Sequence, residues 1–209
     1  ERNRTHKRSY NFTYNAPADS FSIIRLKTGN GGSKAYISGY EDGTFRPDNT
    51  ITRAEAAAII ARCSSDFDEN KTYSSDFTDV LGDEWYANYV GYAAEKGYIS
   101  GYEDGTFKAD RNITRGELAV ILSKYGSFDG DGICTEFSDV PNDYYATEYI
   151  KALYDENIVS GYEDGTFKPD NSVTRAEAVT MMNKVLGNPI AENAENPFDD
   201  VSPNHWAYN

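Results

Sequence analysis

Hydrophobic and polar positions recur along the chain with the spacing of short amphipathic helices. Three segments begin with a Thr and carry apolar side chains at i, i+3, i+4 and i+7, which is one face of an α-helix. The aligned apolar columns are Ala56, Leu118 and Ala178; Ile59, Ile121 and Met181; Ile60, Leu122 and Met182; and Cys63, Tyr125 and Val185. The pattern predicts three helices, each with one buried stripe.

Each of these helices opens with the same N-terminal signal. In the motif Thr-x-x-Glu, the Thr side chain accepts a hydrogen bond from the Glu amide while the Glu carboxylate accepts one from the Thr amide. The predicted capping pairs are Thr52 with Glu55, Thr114 with Glu117, and Thr174 with Glu177. These helices are therefore predicted to open at Thr52, Thr114 and Thr174.

A second type of helix precedes two of these segments. Apolar positions at helical spacing predict it at roughly 85–96 and again at 145–156. Gly97 and Asn157 follow the two segments at equivalent positions, and these residue types best tolerate the left-handed conformation that ends a helix. The repeating unit is thus helix, loop, helix.

The loop between the two helices has the same seven residues, GYEDGTF, in all three copies. The copies begin at Gly39, Gly101 and Gly161, which lie 62 and 60 residues apart. Asp-Gly favours a tight turn in which Gly supplies a positive φ. The closing Phe is interpreted as a packing anchor, and an Arg stands eight residues after it in every copy. This periodicity indicates a repeat architecture.

The repeats divide the chain as follows. Repeat 1 (35–66) lacks its first half, while repeat 2 (77–125) and repeat 3 (137–187) are nearly complete. Residues 198–209 supply a spare first half that begins with Phe-Asp-Asp-Val, like the Phe-x-Asp-Val that opens repeats 2 and 3. We expect this half-repeat to close onto repeat 1 and complete three lobes about a pseudo-threefold axis.

Residues 1–34 differ from the rest and are expected to be a linker and the end of an upstream module. Tyr10, Phe12 and Tyr14 alternate as in a strand, and the Gly-rich segment 28–33 is typical of a loop.

Composition narrows the classes of function. The formal net charge is −14 and the pI about 4.5, so nucleic acid and anionic membranes would be repelled by most of the surface. No apolar run reaches the roughly 18 residues of a membrane span. An anionic ligand would have to be bound locally by a few placed donors.

The repeat resembles the S-layer homology (SLH) repeat of bacterial surface proteins. The residues that carry the resemblance are GYEDGTF, the Thr-Arg-Ala-Glu motif, Phe-x-Asp-Val and His205-Trp206-Ala207. It implies a mainly α, three-lobed domain around a central helix bundle. It also implies non-covalent anchoring, as a monomer, of a secreted protein on a Gram-positive-type cell wall. The implied ligand is an anionic, pyruvylated secondary cell-wall polysaccharide or a peptidoglycan-linked glycan, bound between lobes. No cofactor is implied.

The resemblance implies that the Arg of each Thr-Arg motif binds the ligand. A cation in a first helical turn opposes the helix dipole, whereas free amides there favour anions. We therefore expect the guanidinium and free helix amides to bind a carboxylate. The alternative is an ion pair with loop aspartates Asp42, Asp104 and Asp164 or Asp48, Asp110 and Asp170. The candidate arginines are Arg53, Arg115 and Arg175. We also expect their replacement by Ala to weaken binding with little loss of stability.

Further candidate ligand-binding residues occupy three columns. Asp42, Asp104 and Asp164 lie in the loops, where Gly39, Gly101 and Gly161 allow either a backbone conformation or close approach of a sugar. Trp85, Tyr145 and Trp206 could stack on a sugar ring or pack in the core. Gly116 and Ala109 depart from the usual repeat, which has Ala and Pro at these positions.

Other classes of function are less well supported. The acidic residues recur as scaffold parts do, and His6 and His205 are near no nucleophile motif, so we expect no catalysis. Residues 129–132 (Asp-Gly-Asp-Gly) do not match a calcium-binding loop, and no metal site is predicted. Cys63 falls in an apolar column, although a disulfide with Cys134 stays open. The alternative function is a protein–protein assembly module of the cell surface.

Overall fold

The computed structural model describes residues 23–25, 35–130, 133–134, 136–187 and 198–207. Within these ranges the chain is mainly helical, as predicted. The two short strands are β1 (Ile23–Arg25) and β2 (Ala35–Ser38). The helices are α1 (Arg53–Cys63), α2 (Ala87–Glu95), α3 (Arg115–Gly126), α4 (Thr147–Asp155) and α5 (Arg175–Val185).

Local sequence signals set the helix ends. Complete capping boxes begin α1, α3 and α5, with Thr52, Thr114 and Thr174 as N-caps. No side chain caps α2 or α4, and both begin two residues later than the sequence predicts. After these two helices, Gly97 and Asn157 take φ values of 72° and 59°, the left-handed conformation expected there.

Helix packing crosses the boundaries of the sequence repeats. The second helix of repeat 1, α1, packs on the first helix of repeat 2, α2, and α3 packs on α4 in the same way. A second apolar cluster seals the first of these contacts, since Phe67 and Tyr73 from the connector pack on Tyr89 and Tyr92 of α2. The repeats are thus joined into one core.

A cyclic set of backbone hydrogen bonds links the three repeats. The Ile51 amide donates to the Val173 carbonyl, the Val173 amide to the Ile113 carbonyl, and the Ile113 amide to the Ile51 carbonyl, at 3.0–3.1 Å. All three side chains are fully buried. The three-lobed shape stays a prediction, which this cyclic pattern supports because each repeat bonds to both others.

The C-terminal half-repeat lies against the loop of repeat 1. The Phe45 and Arg46 amides each donate to the Asp200 carboxylate at 2.7 Å, and the Phe45 and Phe198 rings lie 5.1 Å apart. Asp79 and Asp139 accept the same pair of amides in repeats 2 and 3. The domain boundaries remain predictions, but the spare half-repeat makes the contacts that the missing half would make.

The start of the described chain pairs with repeat 1. β1 is antiparallel to β2, with Ile23 opposite Ser38, so this pairing crosses the boundary predicted after residue 34. The alternation at Tyr10, Phe12 and Tyr14 and the segment 28–33 lie outside the described residues, as do 208–209 of the half-repeat.

No disulfide bond joins Cys63 and Cys134, both of which lie in the described ranges. Cys63 is partly buried and packs against the core, as its apolar column indicates.

Candidate functional site

The GYEDGTF loop is a compact turn that a distant carboxylate holds in place. In repeat 1 the Tyr40 amide donates to the Thr44 carbonyl at 2.7 Å, and Gly43 has a φ of 81°. The residue after Phe is also left-handed although it is not Gly: φ is 54° for Arg46 and 57° for Lys108. This conformation costs about 1–2 kcal/mol for a residue with a Cβ. The Asp carboxylate of the Phe-x-Asp-Val motif offsets the cost by accepting that residue's amide.

The loop aspartates Asp42, Asp104 and Asp164 serve the turn itself. Each accepts hydrogen bonds from the Thr two residues later and pairs with the cation four residues later. The Thr hydroxyl bond is the main cause that lowers the pKa of Asp42 and of Asp104 to about 2, and it also lowers the pKa of Asp164. These carboxylates are exposed, and their role toward a ligand stays a prediction.

The repeats meet at three junctions, where the N-terminus of a Thr-Arg helix contacts the loop of another repeat. Junction 1 joins α1 to the repeat 2 loop, junction 2 joins α3 to the repeat 3 loop, and junction 3 joins α5 to the repeat 1 loop. At junction 1 the Arg53 and Ala54 amides donate to the Arg111 and Ala109 carbonyls, at 2.9 and 3.0 Å. The third amide, that of Glu55, donates to the Thr52 cap.

The other two junctions repeat these bonds, so the first three amides of all three helices have acceptors. The expectation that free helix amides would bind an anion is therefore wrong. The loop of the neighbouring repeat occupies the place that the sequence analysis gave to the ligand.

The guanidinium groups of Arg53, Arg115 and Arg175 are buried at these junctions. Each of these residues is only 5–6% exposed. Each Nε donates at 2.8 Å to the carbonyl of the Phe that closes the neighbouring loop. The arginines thus join repeats, so we now expect their replacement by Ala to destabilise the fold, in contrast to the expectation from sequence. Their role as ligand-binding residues stays a prediction.

At junctions 1 and 2 the arginine pairs with the capping Glu of the next repeat. Arg53 Nη1 donates to Glu117 Oε1 at 3.0 Å, and Arg115 Nη1 to Glu177 Oε1 at 2.9 Å. Pairing with the loop aspartates, the alternative from sequence, does not occur for these two arginines. A third group completes each cluster, because the tyrosine of GYEDGTF donates its hydroxyl to the same Glu oxygen. These bonds are 2.7 Å from Tyr102 and 3.1 Å from Tyr162.

The cluster at junction 1 stabilises the charged form of the Glu117 carboxylate. Burial by itself raises the pKa of Glu117, but this effect is outweighed by the Thr114 amide, the Tyr102 hydroxyl and the charges of Arg53 and Arg111. The net result is a pKa below the ordinary value. Arg111, which sequence reasoning did not single out, also donates to Glu117 Oε1.

Junction 3 has the same three residue types, but the cluster is open. Arg175 donates to the carbonyls of Phe45 and Ser38, and no carboxylate of the described residues lies within 4.0 Å of its nitrogens. Among the described residues, the Glu55 carboxylate accepts a hydrogen bond only from the Thr52 amide. The Tyr40 hydroxyl makes no hydrogen bond within the described residues; its ring carries Arg46 at 3.8 Å.

The candidate glycines have a packing explanation. A Cβ on Gly39 would lie 2.8 Å from the Thr44 carbonyl oxygen and closer still to the Phe198 ring. Gly101 and Gly161 meet Phe77 and Phe137 in the same way. The geometry that the three turns share therefore requires Gly at these positions whether or not a sugar approaches.

The aromatic column is exposed and is not part of the core. Trp85, Tyr145 and Trp206 are 40%, 58% and 61% exposed. Their neighbours point to the junctions: Tyr144 donates to Asp170 at 3.2 Å, and His205 Nε2 lies 3.5 Å from Asp48. Both aspartates belong to the loop segments whose carbonyls accept the first helix amides, so Tyr144 and His205 lie at junctions 2 and 3. The Tyr145 and Trp206 rings pack beside them.

The presence of Gly at position 116, where the other repeats have Ala, is explained by the neighbouring side chain of Tyr144. A Cβ there would lie 2.6 Å from the Tyr144 hydroxyl, whereas the equivalent residues at the other junctions are Ala54 and Ala176. The position of Tyr144 is occupied by Glu84 and His205 in the other half-repeats. The departure from the repeat consensus thus accompanies a larger side chain across the junction.

Sequence reasoning missed the loop tyrosines Tyr40, Tyr102 and Tyr162 as junction residues. The available signal was their fixed distance of fifteen residues from the capping Glu. Spacing alone could not show that the hydroxyl reaches it, because the loop between them folds back.

Comparison with known proteins agrees with this architecture. The sequence profile of the S-layer homology domain matches residues 33–57, 76–119 and 136–179, more than half of the chain. The chain belongs to the S-layer homology family. It is therefore a cell-surface module associated with the cell wall.

The relatives carry this module as part of longer proteins. The chain is 38% identical over 189 residues to the cell surface glycoprotein 1 of Acetivibrio thermocellus, covering 85% of this chain and 8% of that protein. It is 38% identical over 188 residues to the cellulosome-anchoring protein of the same organism, covering 86% and 42%. It is 32% identical over 187 residues to an amylopullulanase of Thermoanaerobacterium thermosulfurigenes, covering 85% and 10%. The chain thus spans less than half the length of these relatives.

The described residues show neither a metal site nor a membrane-spanning helix. No group of three or more His, Cys, Asp or Glu side chains there is placed to hold a metal ion. None of the described helices is both long and apolar enough to cross a membrane.

Proposed function

We propose that this module anchors its host protein to the cell wall by binding an anionic, pyruvylated secondary cell-wall polysaccharide. Binding takes place at the junctions between repeats and involves no catalysis. The observation that carries this proposal is the exposed aromatic column, Trp85, Tyr145 and Trp206. Single exposed apolar residues are common on protein surfaces, but these three aromatic side chains recur at one position of the half-repeat, and their flat faces suit the C–H surface of a sugar ring.

Cations beside each loop supply a local site for negative charge. Arg46, Lys108 and Lys168 lie over the rings of the loop tyrosines at 3.8–4.2 Å and are 35–43% exposed. The chain as a whole carries a net charge of −14, so bulk attraction of an anionic polymer is excluded. A pyruvate carboxylate would compete with the loop aspartates for these cations, which makes binding specific and weakened by salt.

The relatives support anchoring over catalysis. A surface glycoprotein, an anchoring protein and an amylopullulanase all match the same stretch of this chain. Because proteins with such different names share this stretch, a shared role in anchoring explains it better than a shared catalytic reaction.

The test is binding of the purified protein to polysaccharide released from cell walls, before and after mild acid removal of pyruvate. We expect the triple variant Trp85→Ala, Tyr145→Ala, Trp206→Ala to lose at least ten-fold in affinity while its melting temperature stays near the wild-type value. Ile133→Ala, another exposed apolar position, is the matched control.

Unchanged binding by the triple variant would contradict the role of the aromatic column, and equal binding after depyruvylation would contradict the anionic ligand. Failure of the wild type to bind polysaccharide, together with binding to a surface protein, would support the assembly alternative.

A further inference from the structure

The three junctions are built from equivalent residues but differ in how their polar groups are paired. At junctions 1 and 2 the Tyr hydroxyl and the Arg Nη1 both donate to one oxygen of the capping Glu. These clusters are closed. At junction 3 the groups equivalent to that oxygen and its two donors are Glu55 Oε1, the Tyr40 hydroxyl and Arg175 Nη1. None of these bonds is formed among the described residues.

The unpaired groups at junction 3 lie close together, with Arg175 Cζ 5.0 Å from the centre of the Tyr40 ring. Arg175 is 6% exposed, and none of the described residues accepts a hydrogen bond from its Nη1. Burial lowers the pKa of the Arg175 guanidinium, while Tyr40 and Glu55 oppose this effect. An almost buried charge with an unfilled donor is unfavourable unless another group accepts from it.

The chemistry of the three groups defines what fits between them. Arg175 supplies a donor, Glu55 an acceptor, and the Tyr40 hydroxyl can act as either. Arg175 and Glu55 together have no net charge, so a second carboxylate would gain little and would be repelled by Glu55. A hydroxyl group matches, because it can accept from Arg175 and donate to Glu55 at the same time.

We propose that junction 3 is the principal sugar-binding site of this module, in which a ring hydroxyl of the wall glycan bridges Arg175 and Glu55. This inference rests on the proposed function and deepens it. The ligand hydroxyl takes the place of the direct Arg–Glu bond that closes junctions 1 and 2, so those two junctions serve the fold. Trp206 packs beside His205, which lies 3.5 Å from Asp48 at the same junction. Its exposed ring offers a surface on which the sugar ring can stack.

The experiment compares Glu55→Gln with Glu177→Gln, the same change at an open and a closed cluster. Gln preserves the capping box, because its carbonyl oxygen can still accept the Thr amide. Binding of wall polysaccharide is measured by calorimetry, and thermal unfolding is followed in parallel. We expect Glu55→Gln to weaken binding about ten-fold, equivalent to about 1.4 kcal/mol, with an unchanged melting temperature.

Glu177→Gln should behave in the opposite way. It weakens the bond from Arg115 and should lower the melting temperature, while the affinity stays within two-fold of the wild type. Tyr40→Phe provides a second variant, since it removes a hydroxyl that has no partner in the described structure. We expect about a three-fold or greater loss of affinity with no change in melting temperature.

The outcomes separate this inference from the proposed function. If the wild type binds the polysaccharide but Glu55→Gln and Tyr40→Phe bind equally well, junction 3 is not the principal site and wall binding still stands. If Glu177→Gln loses as much affinity as Glu55→Gln at an unchanged melting temperature, the junctions are equivalent and the inference is wrong. If the wild type does not bind the polysaccharide, both are overturned.

Discussion

The arginines of the Thr-Arg motif lie where a charged side chain is least expected, almost fully buried in the first turn of a helix. Their guanidinium groups are stabilised by carbonyl groups at the C-terminal end of another repeat's loop and, at two junctions, by a carboxylate. The helix dipole is therefore a minor influence compared with these direct bonds. A residue that the sequence marks as a ligand contact is at the same time a part of the scaffold.

This pairing predicts unequal effects of removing the arginines. Arg115→Ala leaves Glu177 half-paired at a mostly buried position, which should lower the free energy of unfolding by about 2–3 kcal/mol. Arg175→Ala removes a charge that has no carboxylate within 4.0 Å among the described residues, so about 1 kcal/mol is expected. Urea unfolding at neutral pH measures both. If both variants lose the same free energy of unfolding, the different pairing at junctions 2 and 3 does not affect stability, and the prediction is wrong.

A second prediction at the residue scale concerns the pH dependence of stability that arises from Glu117. The folded-state pKa of Glu117 lies below its ordinary value of 4.5. A carboxyl with a depressed folded pKa stabilises the fold above its unfolded pKa and loses this contribution as the pH falls through the folded pKa. We therefore expect the stability of the wild type to fall below about pH 4.5, and Glu117→Gln to be less stable at neutral pH but to fall less steeply in acid.

Urea unfolding at several pH values between 2 and 6 measures this dependence, with Glu103→Gln in the exposed loop as control. Asp42 and Asp104, whose pKa values are lowered from 3.8 to about 2, should add a further loss between those values in both proteins. A Glu117→Gln curve parallel to the wild type would contradict the prediction.

At the scale of the element, each helix start is fitted to the half-repeat that borders it. Gly116 in the first turn of α3 would ordinarily weaken the helix by up to about 1 kcal/mol relative to Ala. Here a Cβ would collide with the Tyr144 hydroxyl, and the Pro169 carbonyl oxygen lies 3.2 Å away on the backbone side. The local preference for Ala is thus overridden by a contact with another repeat.

A double-mutant cycle tests this fit. Gly116→Ala alone should destabilise the protein by about 1 kcal/mol, because the gain in helix propensity is smaller than the cost of displacing Tyr144. In a Tyr144→Phe background the same change should be neutral or stabilising. Thermal or urea unfolding of the four proteins gives the coupling, and additivity would mean that the hydroxyl moves aside freely.

For the whole molecule, closure depends on the C-terminal half-repeat. Asp200 holds the repeat 1 loop across 155 and 154 residues of sequence. The equivalent carboxylates in repeats 2 and 3 act within their own repeat, 28 or 29 residues from the loop. The first and last repeats are thereby tied together.

Asp200→Ala should therefore destabilise the protein by about 2–3 kcal/mol, since the amides of buried Phe45 and exposed Arg46 both lose a charged acceptor. The matched control is Asp199→Ala, which changes an exposed neighbour without a bond to the Phe45 or Arg46 amide. Hydrogen exchange should show faster exchange at Phe45 and Arg46 in the Asp200 variant alone. Identical protection in both variants would mean that the half-repeat does not hold the loop.

The sequence by itself determined the features that depend on neighbouring residues. The capping boxes, the Asp-Gly turn, the left-handed helix ends and the apolar faces all involve residues within about seven positions of each other, so the local pattern is sufficient to predict them. Exact repetition also revealed the number of units and the missing half-repeat.

Only the tertiary structure decided which groups meet across the junctions. Arg53 and Glu117 are 64 residues apart, and whether an arginine finds a carboxylate, a carbonyl or an open space depends on how the next repeat docks. Identical motifs can therefore be closed at junctions 1 and 2 and open at junction 3. The reason is physical: a hydrogen bond requires its two groups within about 3 Å, a condition that docking sets and that the repeated sequence leaves equal in all three copies.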